Sequence, residues 1–325
     1  MVVGGWWMFR ELVRERPAVA HFHDPELIPW AMLLPFFGVR VIYDVHEDYP
    51  FAITENYRLP AIARRFLPPL VRLAEYLGAS VFSAVVTVTP TIQRRFPKRK
   101  AVMVRNWPIA EEFAVAAPRP MAERSLLVVY VGTLTLNRNV WGMLEAMRLL
   151  GKADCRLELI GAFTVGSDEE HARTHPEWGR TGKPGWVSRE EVAAFLAQAR
   201  AGLVVLRPIP HEAESYPIKL FEYMAAGVPV IASDFPLWRE TVGRFNCALF
   251  VDPDNHQQIA DAIRWLIENP READAMGARG RRAILEELSW ETEAKVLVSV
   301  YENVLMGRSA LMGVDAAGSA AARVR

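Results

Sequence analysis

Between Glu214 and Asp234 the sequence ESYPIKLFEYMAAGVPVIASD gathers two carboxylates and an ammonium around the start of one helix. Glu214 and Glu222 bracket seven residues, with Lys219 between them. A helix N-terminus presents free N–H groups and the positive end of the macrodipole, so it favours an anion. Lys219, in the first turn, adds a full positive charge suited to phosphate. A carboxylate is costly beside an anion unless it binds something else, such as sugar hydroxyls. Glu222, about one turn further in, suits a ribose diol as a hydrogen-bond acceptor. The same residues also suit a solvated helix with ordinary surface charges, and the local sequence does not choose between the two.

The elements that must position these groups are legible. Pro217 suits the first turn of a helix, where its missing N–H costs nothing. Leu220, Phe221, Met224 and Ala225 fall at helical spacing, and Gly227 is placed to end the helix in the left-handed conformation. VPVIAS then reads as a short, fully buried strand.

This stretch resembles the E-x7-E signature of retaining nucleotide-sugar glycosyltransferases with the GT-B fold, in particular the large family 4. The resemblance runs from about HFHDPEL to the Ser289-Trp290 pair before the last helix. It implies an α/β architecture of two Rossmann-like domains with parallel sheets facing a cleft. It implies that Glu222 holds the donor ribose, that Glu214 faces the donor sugar and diphosphate, and that Lys219 meets the diphosphate. Ser215, Tyr216 and Leu220 belong to the same donor-binding segment. DVHEDYP resembles the strand-end motif whose histidine reaches the donor sugar, a role that falls on His46 and makes His46 and Glu214 the catalytic pair. Gly185-Trp186-Val187 resembles the segment lining the nucleobase pocket, although Trp186 equally suits a core position. After Val131 the sequence departs from the family. The common version carries a basic residue directly after the glycine and another six on. Here Gly132 is followed by Thr133, and the second place is Asn139 with Arg138 beside it, so Arg138 is expected to supply the remaining charge.

A metal reading would draw on His21, His23, His46 and nearby acids. The segment lacks the helical H-x3-H spacing of a zinc site, and the family generally needs no metal, so neither metal nor cofactor is expected beyond the nucleotide-sugar substrate.

At 325 residues the chain has room for two domains, each with its own core. It is 51% apolar and 23% charged with zero formal net charge, which is globular and offers no case for nucleic acid. Cys155 and Cys247 cannot make a disulfide framework and read as buried thiols of a cytosolic protein. Neither a transmembrane span nor a signal peptide is expected. The uncharged run from Tyr76, YLGASVFSAVVTVTPTI, reads as a helix end, a glycine turn and a buried strand.

Taken in order, residues 7–16 suggest a helix, AVAHFH a strand, PELIPWAMLLPFFG an apolar helix and VRVIYDVH a strand ending at His46. This alternation predicts a parallel sheet, with ligands at the strand C-termini. From Arg58 to Arg105, ten basic residues face one acid, Glu75, with apolar residues interleaved. Such a segment suits an anionic membrane surface, against the alternative of a solvated basic face. RNWPIAEEFAVAAPRPMAERS reads as a linker. A second βα series follows. It includes LLVVYVG, VWGMLEAMRLL and CRLELIGAF, a polar loop over 166–185, a helix opened by a Ser188–Glu191 capping box, and the strand AGLVVLRP.

The expected domains are 1–120 on the acceptor side with the linker at its end, 121–287 for the nucleotide sugar, a helix over 288–307 crossing back, and a disordered tail over 308–325. The N-terminal domain is expected to be truncated, without the first strand and glycine-rich loop of a full GT-B fold. The expected function is sugar transfer with retention from a nucleotide diphosphate donor to a glycan or lipid-linked glycan. The setting would be cytoplasmic or on the inner face of the membrane, in polysaccharide or cell-wall assembly. The alternatives are a non-catalytic nucleotide-sugar-binding remnant and a sugar-nucleotide epimerase on the same fold.

Overall fold

The computed structural model describes residues 2–55, 59–113, 119–151 and 154–312. They form two compact α/β units. The first comprises the described residues up to Asn106 and those from Glu291 onward; the second is Trp107–Trp290.

In the first unit, α1 (Val2–Glu15) leads into β1 (Val19–Phe22), β2 (Arg40–Val45), β3 (Ala84–Thr87) and β4 (Ala101–Met103). These strands pair in parallel in sequence order. The stretch expected as one apolar helix after β1 is instead broken into a 3-10 turn at Pro25–Leu27, α2 (Ile28–Ala31) and a second 3-10 turn at Leu34–Phe37. Pro29 and Pro35 have no N–H to continue an α-helical ladder, and Gly38 ends the stretch at φ 82°. α3 (Tyr49–Glu55) and α4 (Ala61–Val81) connect β2 to β3, and α5 (Pro90–Gln93) connects β3 to β4. α4 runs straight through Gly78, where the sequence suggested a turn. A Cβ there would lie 2.6 Å from the Phe82 ring, so this glycine permits close packing rather than reversal.

Several residues of the basic segment are committed inside this unit. Arg95 pairs with Asp48 at 2.9 Å and with buried Glu75, which also accepts the Tyr43 hydroxyl at 3.3 Å. The Lys100 ammonium donates to the carbonyls of Ala79, Ser80 and Phe82, capping the C-terminus of α4. Arg105 holds Glu293 through both its backbone and its guanidinium. These residues therefore do not all belong to one solvent-facing basic surface, whether that surface is read as a membrane contact or as a solvated face. Arg58 lies outside the described residues.

In the second unit the elements are β5 (Leu127–Val131), α6 (Val140–Leu150), β6 (Arg156–Ile160), α7 (Gly166–Arg173), β7 (Gly182–Gly185), α8 (Arg189–Gln198), β8 (Ala201–Val204), α9 (Pro210–Ala213), α10 (Ile218–Ala225), β9 (Val230–Ser233), α11 (Pro236–Val242), β10 (Ala248–Val251), α12 (His256–Glu268) and α13 (Pro270–Glu286). All six strands are parallel, in the order β10-β9-β8-β5-β6-β7. The chain builds outward from β5 in one direction and from β8 in the other, so β5 and β8 flank the topological switch point where open sheets bind ligands.

The 166–185 stretch, expected as a polar loop, contains α7, a 3-10 turn at Pro176–Arg180 and β7. β7 is GKPG at the sheet edge, a place where a proline and glycines are tolerated. Such a strand carries no apolar alternation to announce it. Both cysteines are buried and neither is in a disulfide, and burial pushes the Cys247 thiol up to about 12.

The last helix, α14 (Trp290–Leu305), matches its expected span, and its body packs in the first unit, where His21 Nδ1 meets the Tyr301 hydroxyl at 2.5 Å. Beyond it, Ala310 is buried and the Asn303 amide donates to the Met312 carbonyl at 2.7 Å. Residues 313–325 of the tail lie outside the described set. Among the described residues no helix is long and apolar enough to cross a membrane.

Candidate functional site

α10 starts with Pro217 as its N-cap at φ −71°, and no side chain caps it. Its first N–H groups thus remain available to an anion. At the other end Gly227 adopts φ 65°, its N–H bonds the Met224 carbonyl, and Val228 N–H bonds the Tyr223 carbonyl. These two bonds form a Schellman motif. The preceding loop is anchored by Trp238, whose buried indole N–H donates to the Ser215 carbonyl at 2.7 Å.

Lys219 is 8% exposed. Its ammonium donates to the Tyr130 hydroxyl at 2.8 Å and lies 4.0 Å from the centre of that ring. Among the described residues no carboxylate lies within ion-pair distance of it. Burial first, and the neighbouring Arg138 charge second, pull Lys219 down to about 7. Gly132, at φ 126°, makes the approach possible: a Cβ there would lie 2.9 Å from Lys219 Nζ. Tyr130, buried and pushed up to about 12 mainly by desolvation, donates its hydroxyl proton to the Thr133 carbonyl at 3.0 Å. Arg138 is half-buried, and its Nε lies 3.7 Å from Glu212 Oε1.

One turn further along α10, Glu222 is buried and its Oε1 accepts from Arg189 at 3.2 Å. Burial raises its pKa, and the Arg189 guanidinium opposes that shift. Arg189 also pairs with Glu112 and lies over the Phe113 ring. It is the first residue of α8, which the Ser188–Glu191 capping box opens as expected.

The structure therefore brings Gly132, Thr133, Arg138 and Lys219 together, with Glu222 on the same helix. Glu214 is exposed at the C-terminus of α9, its N–H bonded to the Pro210 carbonyl. Tyr216 packs edge-on against Trp107, and Leu220 is fully buried in the core. Trp186 is 69% exposed, which removes the core alternative, while Val187 packs against the core. Asn139, at the second family position, is buried and donates to the Val205 and Pro253 carbonyls, so its role is to hold loops together.

Four contributors were missed in the sequence. Tyr130 had a signal, since a hydroxyl in a wholly apolar strand needs a buried partner. Glu212, Arg189 and Glu112 had none, because their partners are remote in the chain.

In the first unit His46 is exposed at the end of β2, with the Tyr49 hydroxyl 3.2 Å from Nε2. Among the described residues, the cluster able to hold a cation is His21, His23 and Asp44. His21 Nε2 and His23 Nδ1 lie 3.4 and 3.6 Å from Asp44 Oδ2. The grouping differs from the one the sequence suggested, in that His46 contacts the His23 ring edge-on and stands outside the donor set.

The sequence pattern of the family described as Glycosyl transferases group 1 matches residues 115–283, just over half of the chain. The chain is 34% identical over 120 residues to the MMP alpha-(1->4)-mannosyltransferase of Mycolicibacterium hassiacum, covering 37% of this chain and 28% of that protein. It is 23% identical over 295 residues to a glycogen synthase of Mycobacterium tuberculosis, covering 88% and 69%. A GDP-mannose-dependent alpha-(1-6)-phosphatidylinositol monomannoside mannosyltransferase of Mycobacterium tuberculosis is 35% identical over 115 residues, covering 35% of this chain and 30% of that protein. The chain thus spans less than a third of the length of either mannosyltransferase. Among solved structures, HepE of Anabaena in complex with UDP superposes with a TM-score of 0.74 at 11% identity, covering 91% of this chain and 82% of that one. Sucrose-phosphate synthase of Thermosynechococcus elongatus superposes at 0.68 and 19% identity, covering 92% and 76%. These likenesses show the GT-B fold.

A buried ammonium without a carboxylate partner costs stability, and pH exposes that cost. Below pH 7 Lys219 is charged in both the folded and unfolded states, so the penalty is full. Between about 7 and its unfolded value near 10.5 the unfolded chain holds the extra proton, so stability rises with pH. Lys219→Met should therefore raise the unfolding free energy of the ligand-free protein by at least about 1 kcal/mol at pH 6, with the gain shrinking towards pH 10. Chemical denaturation at several pH values measures it. A gain independent of pH would show that the ammonium is not penalised.

Proposed function

The chain belongs to the group 1 glycosyl transferases, and from that premise we propose that it transfers a sugar from a nucleotide diphosphate donor to a hydroxyl of a glycan or lipid-linked glycan. The observation that carries this reading is the Lys219 ammonium, held out of water at a helix N-terminus beside Arg138 and a side-chain-free Gly132. A cation kept there without an anionic partner suits an incoming diphosphate, whose charge grows as the sugar departs. Lys219, Arg138 and the N–H groups of α10 would stabilise that charge without having to reorganise. Glu222, already aligned by Arg189, would accept from the ribose diol, and Glu214 would face the sugar. Ser215, Tyr216, Thr133, Trp186 and Val187 complete the donor side of this reading, with exposed Trp186 offering a ring face to the base. The names of the relatives support the reaction class, since they describe mannosyl transfer and glycogen synthesis, and one describes a GDP-mannose donor. Retention and membership of family 4 rest on the E-x7-E resemblance, and a role for His46 in transfer rests on the resemblance of DVHEDYP to the strand-end motif. Polysaccharide or cell-wall assembly is the setting that fits such acceptors.

The depressed Lys219 pKa gives this reading a pH signature. Above pH 7 the free ammonium has lost its proton and must regain one to pair with the diphosphate. Nucleotide diphosphate binding should take up a proton, and affinity should fall by up to about tenfold per pH unit above 7 until the bound pKa is reached. Calorimetry in buffers of different ionisation enthalpy measures the uptake. Lys219→Met should abolish it, together with the preference for diphosphate over nucleoside. Uptake that survives in the variant would remove Lys219 from the phosphate site.

Glu222→Ala should weaken nucleotide affinity by about 1.5–3 kcal/mol, the range for hydrogen bonds involving a charged group. Unchanged affinity in a folded variant would overturn the ribose assignment.

For His46, substitution by alanine should lower the transfer rate at least about tenfold while leaving nucleotide affinity as it was. Loss of affinity instead would make it a donor-binding residue.

A further inference from the structure

α4 is amphipathic in the wrong sense for a helix that only covers a sheet. Its inward side carries Gly78, Ala79 and the buried Glu75, whereas its solvent side is apolar along its length. Ile62, Phe66, Leu70, Leu73, Leu77 and Val81 follow one another at three- and four-residue spacing, which is a single helical stripe. All six are exposed, Ile62 at 69% and Leu70 at 58%. The helix has 21 residues, so the ridge runs for about 30 Å. Isolated exposed apolar residues need no explanation, but a continuous ridge of this length does.

Charge indicates what covers it. Arg65 and Arg72, two turns apart, are exposed along one flank of the stripe. The helix has one acid, Glu75, and that is turned inward onto Arg95 and Tyr43. At the C-terminal end Lys100 is spent on the α4 carbonyls, and its exposed neighbour Arg99 adds a further positive charge there. A second copy packed across a two-fold axis would bury the ridge, but it would bring only more arginines to the flank, with no exposed acid on α4 to pair them. A bilayer containing anionic lipid provides both components, acyl chains for the ridge and phosphates for the arginines.

We propose that the solvent face of α4 is a membrane-docking surface, with the helix lying in the plane of an anionic leaflet, its Ile62–Val81 ridge among the acyl chains and Arg65 and Arg72 at the headgroups. This narrows the lipid contact from the segment Arg58–Arg105 to one helix within it. The proposal is independent of the donor reading. Nucleotide affinity, measured on the same samples, reports on that reading separately.

The test is co-flotation of the 325-residue chain with vesicles. Binding to mixed phosphatidylcholine–phosphatidylglycerol vesicles should exceed binding to pure phosphatidylcholine vesicles and fall with salt. The triple variant Phe66→Ser, Leu70→Ser, Leu73→Ser changes only exposed side chains, and it should lower partitioning at least about tenfold with nucleotide affinity unchanged. Arg65→Gln and Arg72→Gln should each cost about fivefold. Absence of vesicle binding, or binding that the triple variant retains, would overturn the proposal. So would concentration-dependent self-association that the triple variant abolishes while vesicles fail to bind, since the ridge would then belong to a second copy.

Discussion

The second unit is arranged around one unfavourable placement, an ammonium 2.8 Å from a tyrosine hydroxyl and shielded from water. The cost of that burial is partly offset by the Tyr130 hydroxyl and ring, and close packing holds the arrangement in place. Gly132 leaves the space that Lys219 fills, and a Cβ on Gly161 would lie 2.0 Å from the Gly132 carbonyl oxygen, so the chain after β6 supports the turn after β5. Tyr223 accepts the Val131 N–H through its hydroxyl, and a Cβ on Gly202 would lie 2.2 Å from its ring. Three glycines on three strands or their ends are thus required by the packing behind one lysine.

Around that lysine the charges are already paired. Glu212 balances Arg138 without neutralising Lys219, and Arg189 orients Glu222 while itself bound to Glu112. Fixed dipoles and charges of this kind act on a ligand without reorganising, which is where catalytic electrostatics is most effective. The same economy explains the low stability expected of the unliganded site. A diphosphate would supply the charge that the fold withholds.

The first unit divides its charges differently. Glu75, Tyr43, Asp48 and Arg95 form an internal network, and Lys100 and Arg105 cap and tether helices. These groups account for much of what the sequence presents as a basic segment. What remains outside is the apolar ridge of α4 with its flanking arginines. Sequence composition sums the two populations; burial separates them.

Much of the site was legible before folding, because its determinants are local. Helical spacing over Ile218–Ala225, the left-handed glycine at its end, the Ser188–Glu191 cap and the span of α14 all depend on residues within a few positions of one another. The parallel alternation likewise announced α/β units. Elements that depend on remote partners were not legible. β7 exists because β6 offers an edge. The Lys219–Tyr130 contact spans 89 residues and the Arg189–Glu222 pair 33, so only the closed sheet could bring them together. The sequence by itself determined which charges were present and which helix carried two of them. The tertiary structure decided which would be desolvated, which paired and which left facing solvent, because the free energy of a charge depends on its surroundings and not on its neighbours in the chain.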